Sequence, residues 1–277
     1  MMPQVSERRL CRLLGVSRSA VYARKQAAPA KRKPVVDEGL AKEIRRLIER
    51  FPAYGYRRIW AILRRRLGWL VNKKKVYRLM KLKGWLMSQR QKTPRPRVKG
   101  RRSLAKRSNQ RWAMDVTHIN CGPDGWAHLC AIIDCHDRQC VGYEFALRGR
   151  AKEAERALEA ACIARFGTLY PRPEEAPQLR SDNGLIFQSK RFRRACRAYH
   201  LKQEFITPYT PQQNGMVERF FRSLKEECVW VQTFSSFREA RYQVEKWIRW
   251  YNDARPHQAL GYLSPAEYRQ PQVLSVA

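Results

Sequence analysis

The chain has 277 residues, with 57 Lys and Arg against 24 Asp and Glu, a formal charge of +33, and 44% hydrophobic residues. That apolar share is enough for folded cores, and no run of about 18 uncharged apolar residues is present to span a bilayer. The opening MMPQVSERRLCRLLG lacks the features of a secretory leader, and the eight cysteines include no CxxC pair, so they read as reduced thiols in a cytoplasmic protein.

The charge is uneven. Residues 1–110 hold 33 Lys and Arg against 5 Asp and Glu, a net of +28, whereas residues 111–277 hold 24 against 19, a net of +5. A one-signed excess repels itself unless a polyanion offsets it, and nucleic acid is the natural candidate. A basic membrane-surface helix would concentrate its Lys and Arg in one amphipathic element; here they cover several.

In chain order, Ser6 opens a predicted helix to Leu14, Gly15 breaks it, and Ser17 opens a second over Arg18–Arg24. This has the outline of a helix-turn-helix, and equally that of an ordinary helical hairpin. A basic linker follows to about Pro34. Three further helices are predicted between Asp37 and Gly84. Their apolar sides hold Leu40, Ile44, Leu47 and Ile48, then Ile59, Ile62, Leu63 and Leu67, then Val76, Leu79 and Met80. The last of them, opened by Asn72, presents Lys73, Lys74, Lys75 and Arg78 without an interleaved acid, as expected for phosphate contact. From Ser88 to Gln110 the periodicity is lost among nine Lys and Arg, which predicts a linker. The implied divisions are 1–35, 36–87, 88–110, 111–228 and 229–277.

The second half reads as a mixed α/β layer in the order βββαβαβα. Strands are predicted at Arg111–Ile119, Ala127–Ile133, Gln139–Phe145, Gln178–Asp182 and Leu201–Ile206, with helices at Ala151–Phe166, Ser189–Tyr199 and Met216–Cys228. Asp115 falls in the middle of the first strand and Asp182 at the end of the fourth, where β propensity explains a carboxylate poorly. The last helix buries Val217, Phe220, Phe221, Leu224 and Cys228, and sets Glu218, Arg222 and Lys225 on an adjoining stripe. A lone Glu218–Arg222 pair would be an ordinary surface ion pair. Gln213 and Asn214 precede this helix as candidate DNA contacts, with capping by Thr210-Pro211 as the plainer alternative. Asp134 and Asp137 read as turn residues, and Cys121, Cys130, Cys135 and Cys140 as buried small apolar groups rather than zinc ligands. A helix over Phe237–Tyr251 is expected to pack on the preceding core.

Asp115, Asp182 in Ser-Asp-Asn-Gly, and Glu218 after Thr-Pro-Gln-Gln-Asn-Gly, with 35 residues between the last two, resemble the Asp-Asp-35-Glu set of retroviral-integrase-type transposases. Tyr-Gly-Tyr-Arg-Arg-Ile at 54–59, Asn72 to Met80, and Tyr251-Asn252 with Arg255-Pro256-His257 through Pro265 narrow the resemblance to the downstream-frame catalytic subunit of the insertion sequence 3 family. It covers nearly the whole chain from about residue 37. The resemblance implies a ribonuclease H-like five-stranded sheet preceded by small helical DNA-binding units. It implies a catalytic Asp115, Asp182 and Glu218 holding two Mg²⁺ or Mn²⁺ ions, with Lys225 on the terminal phosphate. It further implies double-stranded DNA partners (terminal inverted repeats and target), a homo-oligomer, an upstream-frame fusion partner, and a nucleoid-associated bacterial location. The expected reaction is 3′-end cleavage and strand transfer. The competing readings are a non-catalytic regulator of transposition, which an intact acidic set disfavours, and a ribonuclease H, which the basic first half disfavours.

Overall fold

The computed structural model describes residues 6–25, 36–87, 105–207 and 210–274. The linker expected around 26–34, and residues 88–104 of the one expected over 88–110, lie outside the described residues. At the N-terminus, α1 (Glu7–Leu13) and α2 (Arg18–Lys25) flank a turn at Gly15, whose φ of 62° suits a residue without Cβ. Ser17 caps α2 through the Ala20 amide at 3.2 Å, whereas Ser6 occupies the cap position of α1 without a side-chain bond.

Three helices follow: α3 (Glu38–Arg50), α4 (Tyr56–Arg65) and α5 (Lys73–Leu82). Ile44, Leu47, Ile59, Leu63, Val76 and Met80 are buried, at the helical spacing read from the sequence. Asn72 caps α5 by accepting from the Lys74 amide at 2.8 Å. Lys73, Lys74, Lys75 and Arg78 stand exposed on α5, and the Lys73 ammonium lies over the Trp60 ring.

The second half is a five-stranded mixed sheet in the order β3-β2-β1-β4-β5. Its strands are β1 (Arg111–Asn120), β2 (Trp126–Asp134), β3 (Cys140–Ala146), β4 (Gln178–Ser181) and β5 (Lys202–Phe205). The first three form antiparallel neighbours, while β4 lies parallel to both β1 and β5. Parallel pairs need crossovers, supplied by α6 (Ala151–Phe166) and α8 (Lys190–Ala198), with a short α7 (Leu185–Gln188) between β4 and α8. Side chains alternate across the sheet. Trp112 and Met114 enter one buried cluster with Leu158 and Phe192; Ala113 and Ile119 enter another with Phe220, Val244 and Trp247.

That second cluster is closed by α9 (Gly215–Leu224) and α10 (Phe237–Asp253). The helix expected to run on to Cys228 departs from α geometry: α9 stops at Leu224, and Lys225–Val229 form a π-helical turn. A final helix, α11 (Pro265–Leu274), was not expected from the sequence. No helix among the described residues is long and apolar enough to cross a membrane.

The β2–β3 turn contains a buried charge cluster. Asp134 accepts from the Asn109 and His136 amides, and Asp137 receives the Arg165 guanidinium through both carboxylate oxygens at 3.0 and 2.9 Å. Both aspartates are fully buried, which makes their turn role structural. Burying two acids around one base is tolerable only while the base remains. Arg165→Ala is therefore expected to destabilise the protein by about 3–5 kcal/mol in chemical denaturation, more than most single surface changes.

Candidate active site on the central strand

Period-two alternation puts Asp115 on the same side of β1 as Ala113 and Ile119, the side covered by α9. The β1–β4 register pairs Ala113 with Arg180. Two residues further along both chains, Asp115 comes level with Asp182, just beyond the end of β4. The third carboxylate, Glu218, is exposed in the first turn of α9.

The electrostatics show that these groups share one region. Burial is the largest influence on Asp115 and raises its pKa; the Val116 amide, donating to Oδ1 at 2.8 Å, opposes that. The charges of Asp182 and Glu218 raise it further, Lys225 lowers it, and the balance stands at about 7. Asp182, Glu218 and Lys225, far apart in sequence from Asp115, thus all act on it. Among the described residues, no group of three or more His, Cys, Asp or Glu side chains is gathered tightly enough to hold a metal ion. The donor chemistry nevertheless suits a hard cation: three carboxylates, one of them reluctant to ionise because it is buried and feels the charges of the other two.

The loops are tailored to these side chains. Asp182 Oδ1 accepts from the Gly184 amide at 3.0 Å, and a Cβ at residue 184 would itself lie 3.0 Å from that oxygen. A side chain at 184 would therefore crowd the Asp182 carboxylate, whereas the φ of −62° by itself suits any residue. Asn183 ties the turn to the Ile206 carbonyl at 3.0 Å.

Asn214 corrects an expectation. Placed by the sequence at a DNA contact, it is 2% exposed, and its Nδ2 donates to the Met114 carbonyl at 3.3 Å. It braces the start of α9 against the residue before Asp115, one turn ahead of Glu218. Gln213 is likewise engaged inside its loop, accepting from the Thr207 amide at 2.9 Å. Arg180 adds a second brace: Nη1 donates to the Gln213 carbonyl at 3.0 Å, while Nε and Nη2 hold Glu204. Nothing in the sequence distinguished Arg180 from the other cations around it.

Arg222 Nε binds Glu226 at 2.9 Å, one turn onward. Lys225 begins the π-helical turn and acts on Asp115. Such turns are rare and concentrate at functional sites.

The recurring segments at 54–59 and 251–257 meet at an acid that sequence reasoning passed over. Glu227, inside the π-helical turn, binds Arg255 through both oxygens at 2.8 and 2.7 Å and Arg58 at 3.0 Å. Arg255 also donates to Ser223 Oγ, and the two guanidinium groups cover the rings of Tyr251 and Tyr54. Burial with two Arg neighbours explains why Glu227 needed tertiary contacts to be recognised. A second omission is the exposed basic face of α8, where Lys190, Arg191, Arg193, Arg194 and Arg197 line a groove with Lys202. The small net charge of residues 111–277 averages this local excess away.

A five-stranded mixed sheet with an acid on its central strand, a second beyond the neighbouring strand and a third on the covering helix defines an integrase-type core. Residues 105–211 and 199–265 match integrase core domain models, and residues 36–93 match an HTH-like domain. The chain thus carries integrase core and HTH-like domains and is similar to transposases of insertion elements. Over 238 residues it is 28% identical to transposase InsD of insertion element IS2A/D/F/H/I/K from Escherichia coli, covering 84% of this chain and 78% of that one. InsD of element IS2-9 from E. coli strain K12 is 28% identical over the same length, with 84% and 77% covered. Among solved structures, the BIV integrase catalytic core is 22% identical at a TM-score of 0.42, covering 61% of this chain and 99% of that one. The HTLV-2 integrase catalytic core domain in complex with magnesium is 18% identical at 0.44, with 58% and 95% covered.

Because the folded-state pKa of Asp115 lies above the ordinary value of 3.8, its ionisation penalises folding progressively as pH rises from that value to about 7. Asp115→Asn removes the charge and can still accept from the Val116 amide. It is expected to raise stability by about 2–3 kcal/mol at pH 7. The gain should shrink toward zero near pH 3.5, as measured by denaturant titration at the two pH values.

Proposed function

We propose that the protein is the catalytic subunit that moves an insertion element, cleaving DNA at the element's 3′ ends and joining those ends to another strand. Asp115, Asp182 and Glu218 are assigned as the catalytic carboxylates. The observation that carries this reading is the pKa of Asp115, held near 7 by burial and by the charges of Asp182 and Glu218 on the central strand of an integrase-type sheet. Perturbed acids that influence one another in this way are more typical of chemical sites than of structural ones.

The three carboxylates would hold Mg²⁺ or Mn²⁺, expected as a pair, which when bound would neutralise them and supply charge stabilisation to a phosphoryl displacement. The remaining work falls to the chain. Asn214 and Arg180 keep α9 and its Glu218 against β1. Lys225 offers a fixed cation beside Asp115 for a DNA phosphate. In the first step water displaces the 3′ oxygen from phosphorus; in the second the liberated 3′-hydroxyl displaces a strand of the target. Each step exchanges one phosphate ester bond for another or for water, so no covalent protein–DNA intermediate is required.

Lys73, Lys74, Lys75 and Arg78 are assigned to the DNA backbone, supported by their exposure on α5 within the span matched by the HTH-like domain. Residues 36–87 would serve end recognition, 111–228 the chemistry and 229–277 support of α9. Pairing two element ends calls for a homo-oligomer, and the upstream-frame protein is a candidate fusion partner. A nucleoid-associated location follows from DNA as partner.

Asp182→Asn is expected to abolish Mg²⁺-dependent joining of a labelled terminal-repeat oligonucleotide while DNA affinity changes less than about threefold. Joining at the wild-type rate would remove Asp182 from the chemistry. Affinity for duplex DNA should fall steeply with salt, by about 10³-fold or more between 50 and 200 mM if six or more phosphates are contacted. A flat salt profile would contradict the role given to the basic first half.

A further inference from the structure

The arginines around Glu227 border a cavity of about 480 Å³. It is lined by the Tyr56–Arg58 segment, the β2–β3 turn, the start of α9 and the Arg255–Tyr262 loop. Five arginines reach it, namely Arg57, Arg58, Arg138, Arg219 and Arg255, and no Asp or Glu is among the described residues that line it. Arg58 and Arg255 are already neutralised in part by Glu227. Among the described residues, no carboxylate pairs with Arg57, Arg138 or Arg219.

Two buried polar atoms at this cavity lack partners: Arg138 Nε and His257 Nε2. The Arg138 Nε–H is an unpaired donor, costly out of solvent, and native structures keep one where something else completes it, whereas His257 Nε2 is an acceptor on a ring that already donates to the Tyr251 backbone. Arg138 also holds φ at 64°, a conformation that favours glycine, so the turn retains a guanidinium there against local strain. Around His257 the surrounding cations Arg255, Arg58 and Arg138, after burial itself, keep the imidazole neutral. The cavity therefore presents surplus positive charge and no internal anion.

We propose that this cavity binds a phosphodiester of a DNA strand, seated among Arg57, Arg138 and Arg219. This rests on the reading that the protein acts on DNA, and adds a contact separate from the three carboxylates and from the lysines of α5. The cavity is too small for a duplex but has the size of sites that take a single small ligand unit. Planar guanidinium groups suit phosphate oxygens better than any other donor in the chain. Tyr56 and Tyr262 also line the cavity, where their rings lie within reach of the sugar or base attached to that phosphate. A strand held here would run past the first turn of α9, which carries Glu218, and so would be aligned with the candidate active site.

The test adds a competing anion instead of deleting an arginine. Ala259 is exposed on the cavity wall, so Ala259→Glu places a carboxylate beside the unmatched cations, and Ala259→Gln controls for bulk. Binding of a fluorescein-labelled duplex with a single-stranded 3′ tail is measured by anisotropy, with full-length protein in EDTA, so the result is independent of metal and of catalysis. Ala259→Glu should weaken binding about five- to tenfold relative to Ala259→Gln and reduce the salt slope by about one, while raising the thermal midpoint at low salt. Equal affinity for the two variants, with wild-type binding intact, overturns the cavity assignment alone. Failure of the wild-type chain to bind DNA at all overturns the broader reading as well. Stabilisation of the wild type by submillimolar inorganic phosphate or AMP, with DNA affinity indifferent to Ala259→Glu, overturns a DNA ligand in favour of a free phosphate compound.

Discussion

An aspartate set into the middle strand of a sheet, within the field of two other carboxylates, works against folding at neutral pH. The surroundings hold it there. Apolar packing of Phe220, Val244 and Trp247 covers that face, Asn214 fastens the start of α9 to the Met114 carbonyl, and Arg180 fastens the preceding loop. Removing the charge would stabilise the protein, so stability is not what the acid contributes. A cation that relieves the repulsion would then gain binding energy already stored in the fold.

Two parts of the chain separated by almost two hundred residues converge just beyond α9. Arg58 from the helical unit and Arg255 from the C-terminal region share Glu227, and that glutamate lies two residues past Lys225 in the π-helical turn. A pair of guanidinium groups on one buried carboxylate is favourable only when all three are present, because any one left alone is a desolvated charge. The arrangement therefore ties the position of Lys225 to both recurring segments. It also engages Glu227, and no Asp or Glu is among the described residues that line the adjoining cavity.

Much of the scaffold was legible from pattern. Alternation placed Asp115 on a strand, helical spacing placed Val217, Phe220, Phe221 and Leu224 on a buried face, and the strand boundaries fall within a residue or two of those read from the sequence. Misreadings occurred where a side chain had alternatives that only neighbours could choose between. Asn214 was polar and beside a glycine, which suits a ligand contact, yet the β1 carbonyl was close enough to take its amide. α11 lacked a clear apolar period, and the basic face of α8 was hidden by averaging its charge with distant acids.

The amino-acid order alone determined the local elements, the candidate carboxylates and the basic character of the first half, because these depend on near-neighbour spacing and composition. It could not determine which acids share a field, which arginines are neutralised and which are not, or that Asn214 faces inward. Those outcomes depend on distances between segments far apart in the chain. They were decided only when the parallel register of β1 and β4, and the packing of α9 across them, brought the segments together.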